Sequence, residues 1–246
     1  QGRAVAGGLA GSMLLRGSTK HTRQQLKDEF DRLKAQVNVD GDAKGAFVTI
    51  ESTRENLAPA LRLAVETLRE PAFSAEEFAQ LRAEALAGAE QEKSDPQALA
   101  GNRLSRRLND WPAADPRYVM TAEENIAALK GVTLEQVRAF HHDFYGADHA
   151  LLSAVGDFDG DALAKLAGDL LGGWKSAAPY VRLADPYRSV KAGEELIEPP
   201  DKANAIFLAG LTLQMQDPAP DLPALVMSDY MLGGGSLSNR IADRLR

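Results

Sequence analysis

The sequence predicts an α+β fold in which helices pack on one side of a sheet. Three observations carry this expectation. Strand-like segments alternate with paired helical segments, several helices open on capping signals, and two short apolar alternations flank a turn. The chain has 246 residues, enough for one large domain or two small ones. Hydrophobic residues make up 44% and charged residues 26%, which excludes general disorder.

Taken in order, residues 1–15 are small, apolar and glycine-rich and read as a closely packed helix ending at Arg16-Gly17. They contain no basic segment followed by a continuous apolar run, so they are not a signal peptide as they stand. Thr22 and Gln25 have capping-box spacing, and Leu26, Phe30 and Leu33 form one apolar stripe of the helix they open. Residues 35–40 and 46–52 are strand-like, separated by turn-forming Gly41-Asp42 and Gly45. Helical periodicity returns at Leu57, Leu61, Ala64, Val65 and Leu68. Ser74 and Glu77 form a second capping box, opening a helix to about Lys93. Asp95-Pro96 starts the next helix, running through Leu108. Thr121 with Glu124, and Thr133 with Gln136, announce two more. Residues 150–155 read as a strand closed by Gly156-Asp157, followed by a helix through Leu171.

From Gly172 to about Pro200 the periodicity fades among Trp174, Pro179, Asp185-Pro186 and Pro199-Pro200, which suits a linker. Residues 204–213 are strand-like again, 221–232 helical, and Gly233-Gly234-Gly235 interrupts before a last helical stretch at 238–246. The chain stops inside that stretch without a cap. The expected organisation is therefore one domain at 1–175, a linker at 176–200, and a truncated second unit beginning at 201–246.

Composition narrows the chemistry. Lysine and arginine total 28 against 35 acidic residues, a net charge of −7, with the basic residues dispersed, so nucleic acid is not an expected partner. No apolar run approaches the roughly 18 residues of a membrane span. The absence of cysteine excludes disulfides, thiolate nucleophiles and Cys-ligated metals. The four histidines give no HxxEH or HxxxH pair, in either direction. His21 stands alone, His141 and His142 are adjacent and so point about 100° apart on a helix, and His149 lies beyond the helix end. All four read as surface residues, with at most weak, adventitious metal binding at His142, Asp143 and His149. The pairs Glu76-Glu77, Glu123-Glu124 and Glu194-Glu195 fall in first helical turns or the linker, where the helix dipole or solvent accounts for them. No GxSxG elbow marks a nucleophile. Gly233-Gly234-Gly235 is open to two readings, a flexible connection or a loop whose backbone approaches a bound chain.

Four segments in order resemble the M16 zinc peptidase family, the relatives of pitrilysin, insulinase and mitochondrial processing peptidase. They are Met13-Leu14-Leu15-Arg16-Gly17-Ser18 with the helix after it; 73–78 leading to Asp95-Pro96; His142-Asp143-Phe144-Tyr145 through Val155-Gly156-Asp157 to Trp174-Lys175; and Tyr230-Met231-Leu232-Gly233-Gly234-Gly235 through Arg240-Ile241 to Leu245-Arg246. The resemblance implies the LuxS/M16-type metalloenzyme fold, a mixed sheet packed against helices, followed by the start of a second similar domain. It also places the zinc motif over Gly8, Leu9, Ala10, Gly11 and Ser12, where no ligand or catalytic glutamate remains. The third ligand would fall near 86–90, where Ala87 and Gly88 stand between Glu84 and Glu90.

The chain is thus expected to hold no metal, cofactor or catalytic residue and to be inactive alone. By resemblance it is a non-catalytic half that lines a chamber and binds peptide opposite a zinc-bearing half, fused or separate. The same resemblance makes Gly233, Gly234, Gly235 and Arg246 substrate-contacting, with the arginine stabilising charge near the partner's zinc. It also points to the bacterial periplasm, otherwise the cytoplasm. The competing readings are a scaffold subunit without a protease partner and an enzyme with an unconventional site.

Overall fold

A computed structural model describes residues 2–199, 204–234 and 239–245. Two compact units are present, Gln1–Ala184 with Glu195–Ala209, and Asp185–Glu194 with Gly210–Arg246.

The larger unit is built around helix α1 (Gly2–Met13). Its Val5, Ala6, Leu9, Ala10 and Met13 are all buried, so the helix is covered on most of its circumference. Helix α2 (Arg23–Arg32) starts at the Thr22–Gln25 capping box, with both reciprocal bonds made. Strands β1 (Gln36–Gly41) and β2 (Ala46–Glu51) pair antiparallel in the register Gln36↔Glu51 to Gly41↔Ala46. Their turn is fixed by the Asp42 carboxylate, which accepts the N–H groups of Lys44 and Gly45 at 2.7 and 3.1 Å. Helix α3 (Leu57–Arg69) has two apolar faces: Ala60, Leu63 and Ala64 join Leu26, Phe30 and Leu33, while Leu61 and Val65 pack against Leu163 and Leu166.

Helices α4 (Ala75–Glu92), α5 (Pro96–Leu108), α6 (Ala122–Gly131) and α7 (Leu134–Phe144) follow where the capping signals place them, and α8 (Gly160–Leu171) ends at Leu171 as expected. The boxes at Thr121–Glu124 and Thr133–Gln136 close fully. At Ser74 the seryl oxygen accepts from the Glu77 N–H, but Glu77 does not reach back. Its carboxylate faces the guanidinium groups of Arg16 and Arg23 instead, at 3.1 and 3.4 Å. A charged partner offers more than a neutral backbone N–H.

The α+β class holds, with a sheet that among the described residues is the two-stranded β1–β2 hairpin. Residues 150–155 and 204–213 form no strand. Their alternating apolar pattern meets no strand edge, and Leu151, Val155 and Phe207 remain exposed at 95%, 102% and 89%. In the smaller unit, helix α9 (Leu222–Asp229) runs into a π-helical turn at Tyr230–Gly234, and helix α10 (Arg240–Leu245) follows the glycines. The Thr212 hydroxyl ties 210–246 to 185–194 by donating to the Arg188 carbonyl at 2.8 Å.

Glycines let α1 sit this deep. A Cβ on Gly11 would lie 2.6 Å from the Cα and carbonyl oxygen of Gly41, and one on Gly7 would lie 2.8 Å from the Phe140 ring. Gly8 has nothing within 4 Å. From α7, His141 is wedged between Phe73 and Tyr145, with ring centroids 5.3 and 4.7 Å away. Its Nε2–H donates to the Leu68 carbonyl at 2.7 Å. Burial outweighs that bond and holds its pKa below the ordinary 6.5.

Gly11→Ala should lose about 1–3 kcal/mol, because the atoms it meets are backbone. Gly8→Ala should gain roughly 0.5–1 kcal/mol of helix propensity, and paired thermal melts separate the two. For His141 the unfolded chain binds the proton more readily, so its contribution is present above pH 6.5 and fades as pH falls below it. His141→Gln should flatten that part of the stability–pH curve, measured by urea titration at several pH values.

Candidate functional site

On helix α1, the five residues over which the resemblance sets the zinc motif, Gly8 to Ser12, divide between two faces. Leu9, Ala10 and Gly11 are buried, Gly8 is half-buried and Ser12 is exposed. Gly8 and Ser12 lie one turn apart, and the Ser12 hydroxyl donates back to the Gly8 carbonyl at 3.0 Å. A zinc ion requires imidazole, thiolate or carboxylate donors, and neither glycine has a side-chain donor while the serine hydroxyl is spent locally. Gly11, where the resemblance would set the catalytic glutamate, lies against Gly41 with no space for a Cβ. These residues do not fit the metal.

The expected third-ligand position tells the same story. On α4, which packs against α1 and α6, Ala87 is exposed and Gly88 half-buried. The flanking glutamates are held by cations: Glu84 by Arg16 at 2.7 Å and Glu90 by Lys93 at 3.2 Å. Arg16 is the centre of this surface. Its side chain is 12% exposed and its two guanidinium nitrogens take Glu77 and Glu84 separately. The Arg16 bond, then the one from Gln80, holds the Glu84 carboxyl below its ordinary value. Sequence reasoning passed over Arg16, yet a signal was available. No acidic residue lies within four positions of this cation, which follows a buried helix and so must find its partners at long range.

The histidines do not gather. His142 faces Asp143 at 3.0 Å, while His149 stacks on Tyr180 at 4.5 Å between ring centroids. His21 Nδ1 lies 2.7 Å from Glu66 Oε1, and the buried Ser18 hydroxyl donates to the same oxygen at 2.5 Å. Serine and imidazole thus share a carboxylate instead of bonding each other, so this trio ties a loop to α3 and provides no base for a nucleophile. Among the described residues no three His, Asp or Glu side chains could hold a metal ion. No described helix is long and apolar enough to cross a membrane.

Gly233 and Gly234 end the π-helical turn on the exposed surface of the smaller unit. A Cβ on Gly233 would stand 3.3 Å from Ile241 Cδ1, so α10 comes near it on one side. Gly235 and Arg246 lie outside the described residues.

Arg16→Ala should cost about 1–3 kcal/mol, chiefly because half-buried Glu77 loses the nearer of its two guanidinium partners and keeps only Arg23 at 3.4 Å. The lowered pKa of Glu84 contributes stability above the ordinary carboxylate value of 4.5 and loses it as pH falls through the depressed one. The substitution should therefore also weaken the acid dependence of unfolding, followed by circular dichroism across the carboxylate range.

Residues 131–246 match the family model of the peptidase M16 inactive domain. The chain also resembles the crystal structure of a peptidase M16 inactive domain from Pseudomonas fluorescens, with a TM-score of 0.76 and 24% identity, covering 98% of this chain and 58% of that one. A protease from Helicobacter pylori matches with a TM-score of 0.60 and 16% identity, over 78% of this chain and 45% of that one. The periplasmic protease PqqL from Escherichia coli matches with a TM-score of 0.60 and 15% identity, over 77% of this chain and 21% of that one. The chain therefore spans well under two thirds of the length of these structures. A comparison with curated proteins found no match. Residues 131–246 thus resemble the peptidase M16 inactive domain, and the chain shares its fold with the Pseudomonas fluorescens structure over nearly all of its length.

Proposed function

We propose that this chain is the non-catalytic half of an M16 zinc metalloprotease, forming part of the wall of a closed chamber and helping to bind peptide opposite a zinc-bearing half. The observation that carries the reading is the state of α1. The zinc-motif position holds Gly8, Gly11 and Ser12, and Gly11 is packed against the Gly41 backbone. The match of residues 131–246 to the family's inactive-domain model supports the same conclusion. The zinc would belong to the partner half, in the same polypeptide or in a separate subunit.

Within this reading, residues 1–175 form one M16-like domain and 201–246 begin a second, joined by 176–200. Gly233, Gly234 and Gly235 contact substrate, and Arg246 reaches toward the partner's zinc to stabilise developing negative charge. The π-helical turn at Tyr230–Gly234 favours a role for the glycines, because such turns concentrate at functional sites. The periplasm is the compartment the reading favours, by analogy with the neighbour PqqL. The second reading, a scaffold subunit with no protease partner, draws on the same sealed α1.

The test is a peptide-cleavage assay on the chain alone and on the chain mixed with a zinc-bearing half encoded with it. Chelator-sensitive cleavage is expected only with the partner, and Gly233→Val should raise KM there. Chelator-sensitive cleavage by the chain alone would overturn the reading, and a stable partner without any HxxEH motif would favour the scaffold.

A further inference from the structure

After α8, residues 174–184 cross the larger unit before the chain passes to the smaller one at Asp185. They border an open cavity of about 530 Å³. Ala178, Tyr180, Val181 and Leu183 line it together with the start of α1, the hairpin turn and the end of α7.

The near end of this crossing is firmly anchored. The Ala147 N–H donates to the Trp174 carbonyl at 2.8 Å, and the Ala178 N–H donates to the Asp143 carbonyl at 2.7 Å. Gly146 passes so close that a Cβ on it would meet the Ser176 backbone nitrogen. Beyond Ala178 the main chain changes character. Residues 179–183 make no backbone–backbone hydrogen bond among the described residues, and Tyr180 and Val181 are 56% and 71% exposed. Such a stretch belongs to the part of a fold that opens most readily.

Side chains hold it instead. Tyr180 stacks on His149, with ring centroids 4.5 Å apart and planes 22° from parallel. At the far end, Arg117 Nη1 donates to the Ala184 carbonyl. Arg117 is prepared for that bond. Its Nε and Nη2 donate to the two oxygens of Asp115 at 2.8 and 2.7 Å, and its guanidinium lies 3.2 Å from the centroid of the Trp111 ring. Both side chains of this ion pair are only 18% exposed. The guanidinium fork is therefore fixed in place, and capturing the linker carbonyl costs it little rotamer freedom.

We propose that residues 179–184 are a latched lid over this cavity, with Arg117 as the latch and the Tyr180–His149 stack as a weaker second catch. Opening breaks one charge-assisted hydrogen bond and one ring stack, while the bonds at Asp143 and Trp174 remain as the pivot. The cavity walls at Phe140 and Phe144 are then uncovered. The latch grips the last residue of the larger unit before Asp185, so tension in the linker reaches it directly.

Limited trypsin digestion of the folded chain tests the latch, because Arg182 lies inside the lid and Lys191 outside it. In the wild type the cut after Arg182 should be slower than the cut after Lys191. Arg117→Gln should speed the first roughly tenfold and leave the second unchanged, as loss of one charge-assisted hydrogen bond allows. Fluorescence of anilinonaphthalene sulfonate, a dye that reports exposed apolar surface, should rise in the same variant. Arg117→Gln also releases Asp115 and Trp111, so a cooperative melt checks that it folds. His149→Ala should speed the same cut about threefold through loss of the stack, and it reads the second catch with Arg117 intact. Equal cutting after Arg182 and Lys191 in the wild type, or no acceleration in His149→Ala and Arg117→Gln, would overturn the proposal. Acceleration at every site alike would do the same, since it reports loss of the fold. Faster cutting with no rise in dye fluorescence would also sink it, because the segment would then cover nothing.

Discussion

Helix α1 can occupy the middle of the larger unit only because Gly11 and Gly41 have no side chains. At that crossing a single Cβ would stand 2.6 Å from backbone atoms that cannot rotate away. Once α1 is seated there, the other contacts follow. Its Leu9, Ala10 and Met13 join Phe78 and Ala89 of α4, Ile126 and Leu129 of α6, and Val137 and Phe140 of α7 in one core. Each fully buried side chain of this kind is worth roughly 1.5–3 kcal/mol, so the crossing organises a large share of the unit's stability.

The same crossing has a chemical consequence. A hydrolytic site on α1 needs protruding imidazoles and a carboxylate facing an open cleft, whereas Gly11 faces the Gly41 backbone at packing distance. Close packing and a metal site are alternatives at this position. The acidic side chains of α4 that border it have been claimed by Arg16, so charge there is neutralised inside the protein and not presented to a ligand. Tyr145 comes into contact with this arrangement from α7's end: its hydroxyl would lie 2.8 Å from a Cβ on Gly41.

Much of this was legible in the chain. Thr22, Ser74, Asp95, Thr121 and Thr133 announce their helices because a cap is a local hydrogen bond, complete within four residues. The hairpin is local too, since Asp42 fixes the turn between two adjacent segments. Residues 150–155 and 204–213 misled for the opposite reason. Apolar alternation records what a segment would bury, but a strand exists only where another edge accepts its hydrogen bonds. Arg16 was missed because its partners Glu77 and Glu84 are 61 and 68 residues away.

By itself, then, the sequence determined the capped helix starts, the hairpin, the absence of cysteine, and that Gly8, Gly11 and Ser12 carry no imidazole or carboxylate. These are matters of residue type and of spacing within a few positions. Only the tertiary structure decided that Gly11 is sealed by Gly41, that Arg16 binds two glutamates of α4, and that the Tyr145 hydroxyl is buried with no acceptor among the described residues. Each depends on groups far apart in the chain that are brought together by burial of apolar surface, a force without direction that leaves no local pattern to read.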